Sequence, residues 1–159
     1  MCLSGKYNSY SGAKKETDCI DSRLGTYSGD AYTMSIECPM GKYSSVLGSS
    51  NCNDCEQGKY SDITGAIYCK DCPENSEQNR DKTNWICSEG SYESINGTDR
   101  ECITCPENTI CPKGTTLYSI QINNGYWRES KDSLNILECR NMEYCKGGIF
   151  ENSTNICRD

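Results

Sequence analysis

One short cysteine-bounded unit recurs through the first two-thirds of the chain, and nothing else in the sequence constrains the fold as tightly. Residues 38–52 read CPMGKYSSVLGSSNC and residues 55–69 read CEQGKYSDITGAIYC, with spacer ND between them and KD before Cys72. Each copy has a Cys, a Gly three residues on, a Tyr two further, then Ser, a second Gly five past the Tyr, and a closing Cys. The template recurs at Cys2, Gly5, Tyr7, Gly12, Cys19 and at Cys87, Gly90, Tyr92, Gly97, Cys102, and a partial copy keeps Gly25, Tyr27 and Ser28. Gly25 to Gly41 is 16 residues, Gly41 to Gly58 is 17, and Gly58 to Gly90 is 32, or two steps of 16. A fixed period of this kind is the signature of a tandem array.

Such units have little apolar material to fold around. Leu, Ile, Val and Phe make up about 13% of the 159 residues, below the roughly 20% at which chains tend to disorder. Fourteen cysteines supply the alternative, since disulfides replace a missing core in small exported modules. An even cysteine count and the absence of His fit cross-links better than metal sites or acid-base chemistry at neutral pH. A net charge of −7 with scattered acidic residues argues against nucleic acid as a partner. No apolar run is long enough to span a bilayer. Met1 runs straight into a repeat at Cys2, so a mature segment or a piece of a longer exported chain is expected, at the cell surface or outside it.

A glycine flanked by Ser or Asn between short polar strands predicts a small β-hairpin for each unit, which brings its opening and closing cysteines within disulfide reach. The degenerate second copy agrees. Its opening position holds Ser22 and its closing position Ser35, so both partners of one bridge are missing together. The expected pairs are Cys2 with Cys19, Cys38 with Cys52, Cys55 with Cys69, and Cys87 with Cys102. The unit after Cys72 lacks the Gly-x-Tyr core and has Asn84 and Trp85 where a closing cysteine is expected. Pairing of Cys72, Cys105, Cys111, Cys139, Cys145 and Cys157 stays open. Cys105 with Cys111 and Cys139 with Cys145 are short-loop candidates that would leave Cys72 and Cys157 for each other or for another chain. Beyond Pro112 the period stops, and residues 115–122, 126–128 and 134–137 predict a three-strand meander with an Asn124-Gly125 hairpin turn. The glycine-bearing tail from Lys146 reads as a capping loop.

The run CKDCPENSEQNRDKTNWICSEGSYESINGTDRECITCPENT, residues 69–109, resembles the cysteine-rich repeats of ephrin-type receptors and related growth-factor-receptor and tumour-necrosis-factor-receptor modules. Their pattern is C-x-x-C-P-x-N-S, then C-x-C-x-x-G-Y, then C-x-x-C-P-x-N, and here Trp85 replaces the first cysteine of the C-x-C. The stretch NGYWRES through CRNMEYCKGG is similar to the segment that follows such repeats in large surface proteins of ciliates and other protists. The resemblance implies an architecture and leaves the function open.

Chemistry is weighed against simpler readings. The spacing Cys52-x2-Cys55-x13-Cys69-x2-Cys72 is close to that of a zinc ribbon, yet C-x-x-C as a junction between units also explains the remaining cysteines. The acidic Asn53-Asp54 spacer offers no helix start to lower a thiol pKa for redox work. Tyr7, Tyr27, Tyr43, Tyr60 and Tyr92 form either a stacking ladder for sugars or covers for the disulfides, and covers are expected. Tyr126 and Trp127 read as packing. Asp71, Glu74 and Glu101 lack the alternating loop spacing of a calcium site. Asn96 and Asn152 open N-glycosylation sequons in turns.

The fold expected is small, disulfide-rich and mainly β: tandem hairpin repeats over residues 1–111 forming an elongated rod on the order of 60 Å, then a small C-terminal β module over residues 112–159. Each unit of such a stack would touch only its neighbours. The function expected is an extracellular structural or interaction protein of a surface coat or filament, with protein partners or its own copies. The alternative is a ligand-binding or adhesion ectodomain or a protist surface antigen. No catalytic role, cofactor, nucleic-acid partner or membrane insertion of this segment is expected. Intact mass before and after reduction should rise by two hydrogens per bridge, whereas loss of a metal ion with little mass gain would point to the zinc reading.

Overall fold

A computed structural model describes residues 2–8, 15–29 and 33–150, and the repeat conformation in it is decided at the first glycine of each unit. The residue after that glycine donates its N–H back three residues, Lys6 to Leu3, Thr26 to Arg23, Lys42 to Pro39 and Lys59 to Glu56, at 3.0–3.1 Å. Gly5, Gly25, Gly41 and Gly58 sit at φ between +75° and +88°, so each turn is type II and needs a residue tolerant of the left-handed region. The same turn occurs without glycine. Ser76 donates to Pro73 across Asn75, which has φ +57°, and Asn108 adopts φ +61° after Cys105-Pro106. Asparagine is one of the few side-chain-bearing residues that enters this region readily. The CPEN phrase is therefore another copy of the repeat turn, and the 32-residue step from Gly58 to Gly90 divides at Asn75 into 17 and 15.

Contacts group the chain into two compact units, Met1–Cys72 with Gln78–Trp85, and Pro73–Glu77 with Ile86–Asp159. The expected division at 111 and 112 differs from this grouping. In the first unit β1 (Lys6–Tyr7) pairs with β2 (Ile20–Asp21), β3 (Thr26–Tyr27) with β4 (Ile36–Glu37), β5 (Lys42–Tyr43) with β6 (Asn53–Asp54), and β7 (Lys59–Tyr60) with β8 (Lys70–Asp71), all antiparallel. The second strand of every pair is the spacer that separates one unit's closing position from the next unit's opening position. Register sets Lys6 opposite Asp21, Lys42 opposite Asp54 and Lys59 opposite Asp71. β9 (Ser76–Gln78) and β10 (Trp85–Cys87) form a further two-stranded sheet.

Backbone bonds then tie the turns of the first unit into a ladder. Gly5, Gly25 and Gly41 donate N–H to Ser28, Ser44 and Ser61 of the following copy, while their own carbonyls accept from Ser22, Cys38 and Cys55. Ser22, Ser28 and Ser44 are wholly buried. A Cβ added at Gly5 would overlap the Gly48 carbonyl, one at Gly25 the Gly65 carbonyl, and one at Gly41 the Asp81 carbonyl. These partners lie in the copy after next, so the expectation that a unit touches only its neighbours is corrected: the absence of side chains lets backbones two copies apart close on each other.

The second unit begins with an extended hairpin, β11 (Ser91–Asn96) and β12 (Asp99–Thr104), and β13 (Thr109–Ile110) follows. β14 (Thr115–Thr116) runs parallel to β11, β15 (Gln121–Ile122) pairs with β13, β16 (Tyr126–Arg128) pairs with β17 (Ile136–Glu138), and β18 (Gly148–Ile149) pairs with β15. The predicted meander is therefore overturned, because its three segments are shared among three sheets. Gly125, at φ +86°, is another repeat-type turn: it donates to Cys145 and accepts from Cys139. Tyr92, Cys111 and Ile120 form the small buried cluster of this unit, with Cys105 and Leu117 against it. The β11–β14 pair also explains why contacts do not divide at 111.

Gly25→Ala should lower the unfolding free energy of the oxidised chain clearly more than Gly58→Ala, read from urea unfolding midpoints. Gly58 has the same turn conformation with nothing within 4 Å of the added atom, so it carries only the left-handed strain of about 1–2 kcal/mol.

Candidate functional surface

The cysteines of the expected pairs meet in the structure. Cys2 is bonded to Cys19, Cys38 to Cys52, Cys55 to Cys69 and Cys87 to Cys102, with Cα separations of 5.5–5.7 Å, and Cys105 is bonded to Cys111 and Cys139 to Cys145. Opening cysteines Cys2, Cys38, Cys55 and Cys87 are buried. Where Ser22 stands instead, its hydroxyl donates to the Ser49 carbonyl at 2.9 Å, which satisfies a buried polar group that would otherwise be costly. Cys72 is half-buried and its N–H donates to the Gly58 carbonyl. Cys157 lies outside the described residues. Three of the four sulfurs that a zinc ribbon would need, those of Cys52, Cys55 and Cys69, are held in disulfides.

On the outer strands the opposed charges meet. Lys6 pairs with Asp21 at 2.8 Å, and Lys42 with Asp54 and Lys59 with Asp71 at 2.7 Å. Lys70 adds a bond to Asp62 at 2.8 Å. These pairs are largely exposed, so each contributes little to stability and is weakened by salt. The sequence carried a signal for them, the Lys after the first glycine and the Asp before the next opening cysteine, which reads as a pair only once the register is known. Lys42 holds the Asp54 carboxyl below its ordinary value, and Lys70 does the same to Asp62. Asp71, bonded to Lys59, holds that ammonium above its usual range.

Tyr7, Tyr27, Tyr43 and Tyr60 are half-buried and Tyr92 is buried. Tyr43 and the exposed Tyr68 flank Glu56, Lys59 and Cys69 around a shallow groove of about 180 Å³, smaller than the roughly 300 Å³ at which ligand clefts begin. Tyr126 and Trp127 are half-buried in β16. Asp71, Glu74 and Glu101 are exposed, and among the described residues no group of three or more metal-ligating side chains converges. Asn96 ends β11 beside the Gly97-Thr98 loop and is exposed. Positive φ at Gly97 alone makes that loop type II′, and it presents the Asn96 amide at a hairpin tip. Asn152 lies outside the described residues.

Residues 25–72 match the family model described as tyrosine-protein kinase ephrin type A/B receptor-like. This stretch is an ephrin-receptor-like cysteine-rich segment. No curated protein matches the chain. The ephrin-receptor-like segment contains β3 to β8, two complete cysteine-bounded copies and, from Gly25 on, the preceding copy that closes at Ser35 instead of a cysteine. Together with the six disulfides it marks an extracellular interaction domain. No helix among the described residues is long and apolar enough to cross a membrane.

Two outcomes follow for this surface. A carboxylate with a depressed folded pKa stabilises the fold above the ordinary range and loses that contribution as pH falls through the folded value. In an NMR titration Asp54 and Asp62 should both titrate below the ordinary aspartate range; Lys42→Met should raise only Asp54, and Lys70→Met only Asp62. Replacing Cys38 and Cys52 together by Ser should keep the strand register, judged by amide chemical shifts, and lower stability by roughly 3 kcal/mol.

Proposed function

We propose that this chain is an extracellular structural protein, a stiff cysteine-rich spacer that contributes to a cell-surface coat or filament. The observation that carries the proposal is the backbone ladder of the first unit, in which inward groups are consumed by contacts between copies. Each copy then offers the outside only short strand surfaces, charged pairs and turn corners. Such an array produces spacing and repeated surface more readily than a cleft. Its partners are proteins, either further copies of itself or neighbouring repeats of a longer chain, and Asn96 and Asn152 carry N-linked glycans. It has no catalytic role, takes no nucleic acid, and this segment does not insert in the membrane.

A second reading, the ligand-binding or adhesion ectodomain of a surface receptor or a protist surface antigen, is favoured by the groove at Tyr43 and Tyr68 and by the receptor named in the matched family. Electron microscopy of native material discriminates the two. Periodic filaments or arrays are expected. Isolated particles that never associate, combined with saturable binding of one soluble partner to the monomer, would replace the first reading by the second.

A further inference from the structure

Two Asn-Gly pairs occur in the chain, Asn96-Gly97 and Asn124-Gly125, and the fold treats them in opposite ways. An asparagine followed by glycine is open to one particular reaction. The backbone nitrogen of the glycine attacks the side-chain carbonyl carbon of the asparagine, closes a cyclic imide and releases ammonia. What holds such a reaction back is a Cβ on the following residue, or a hydrogen bond and packing that tie up the attacking nitrogen. Glycine removes the first obstacle, so the second decides.

At Gly125 the nitrogen is committed. Its N–H donates to the Cys145 carbonyl at 2.8 Å, and Gly125 itself is buried. Ring closure there has to break a backbone bond and pull a buried turn apart. At Gly97 the nitrogen is unrestrained. Asn96 and Asp99 are the last pair of the β11–β12 register, and across a two-residue hairpin loop the flanking residues exchange the backbone bonds. The Gly97 N–H has no acceptor among the described residues. Residues 95–100 are all exposed, and apart from its chain neighbours nothing lies within 4 Å of a Cβ built on Gly97. The imide therefore has room to form once the outermost strand pair opens, and exposed ends of a ladder open at small cost.

We propose that Asn96 is a self-modifying site. In molecules whose Asn96 amide is bare, the Gly97 nitrogen closes on the side-chain carbonyl carbon, ammonia leaves, and water opens the imide to aspartate or isoaspartate. One water is consumed and one ammonia released, with no oxidant or other reactant. A new carboxylate then stands across the ladder from Asp99, where like charges repel, and the amide to which a glycan would be joined is gone. A glycan already on that amide suspends the reaction, so the hairpin tip is committed to one of two exclusive modifications. The reactivity rests on the geometry of β11 and β12 and does not depend on whether the chain forms a coat or binds a ligand.

The test uses the whole oxidised chain, produced without glycans, incubated in heavy-oxygen water and followed by peptide mass mapping. Asn96 should gain one heavy oxygen as its amide becomes an acid, and an isoaspartate-specific methyltransferase should label the same peptide. Asn124 in the same molecule should convert roughly ten- to a hundredfold more slowly, the factor expected when a buried hydrogen bond has to be broken first. In the reduced and alkylated chain the two sites should convert at similar rates, since the fold no longer separates them. Equal rates at both sites in the folded chain, or an Asn96 that stays an amide there while the unfolded chain converts, would overturn the proposal. Conversion beneath an intact glycan would overturn the exclusive choice.

Discussion

A chain with so few apolar side chains depends on placing backbone against backbone. At Gly5, Gly25 and Gly41 the N–H goes to the following copy, the carbonyl accepts from that copy's opening residue, and the vacant side-chain position lets a carbonyl from the copy after next come into contact. Three demands fall on one residue: a left-handed φ, two satisfied hydrogen-bonding groups and no Cβ. Glycine meets all of them. Asparagine meets the first, and the carbonyls of Asn75 and Asn108 accept from Ser88 and Asn123 as those of the glycines do from later residues. Buried Ser28, Ser44 and Ser61 belong to the same logic, because a small hydroxyl side chain fills the remaining space and finds a carbonyl.

Disulfides act on a different term. A bridge closing a loop of this length chiefly restricts the unfolded chain, whereas the ladder fixes the folded one. The second copy separates the two effects. It lacks its bridge at Ser22 and Ser35, yet β3 and β4 pair in the same register as their neighbours, and Ser22 donates its N–H to Gly5 as Cys38 does to Gly25. The backbone geometry thus survives loss of a cross-link, while the total stability of so small a core would not survive loss of many.

How far the sequence could be read follows from which interactions are local. Opening and closing cysteines were legible because the turn and strand lie between them, and the joint absence at Ser22 and Ser35 pointed to the same pairs. Asn75 and Asn108 were not legible as turn residues, since only backbone conformation equates them with glycine. Pairing of each Lys-Tyr strand with a C-x-x-C spacer was hidden for a similar reason: residues such as Asn53 and Asp54 carry no strand pattern of their own. The Asn124-Gly125 signal was read as a hairpin and misled, because β11, β13 and β18 supply partners from elsewhere in the chain and capture residues 115–116 and 121–122 ahead of the turn. Arg128, buried in a three-residue strand, drew no notice, because burial of a single charge is decided by everything packed around it.

Surface chemistry in such an array is free to vary where the fold is not. The second residue of each type II turn has an ordinary negative φ and accepts almost any side chain. Leu24, Met40, Gln57 and Glu74 occupy that corner in successive copies and all are exposed. Along four turns of one backbone geometry the corner passes from apolar through polar to acidic. Substitutions at the corners of the first unit, Leu24, Met40 and Gln57, would therefore change its surface while leaving the ladder of backbone bonds intact.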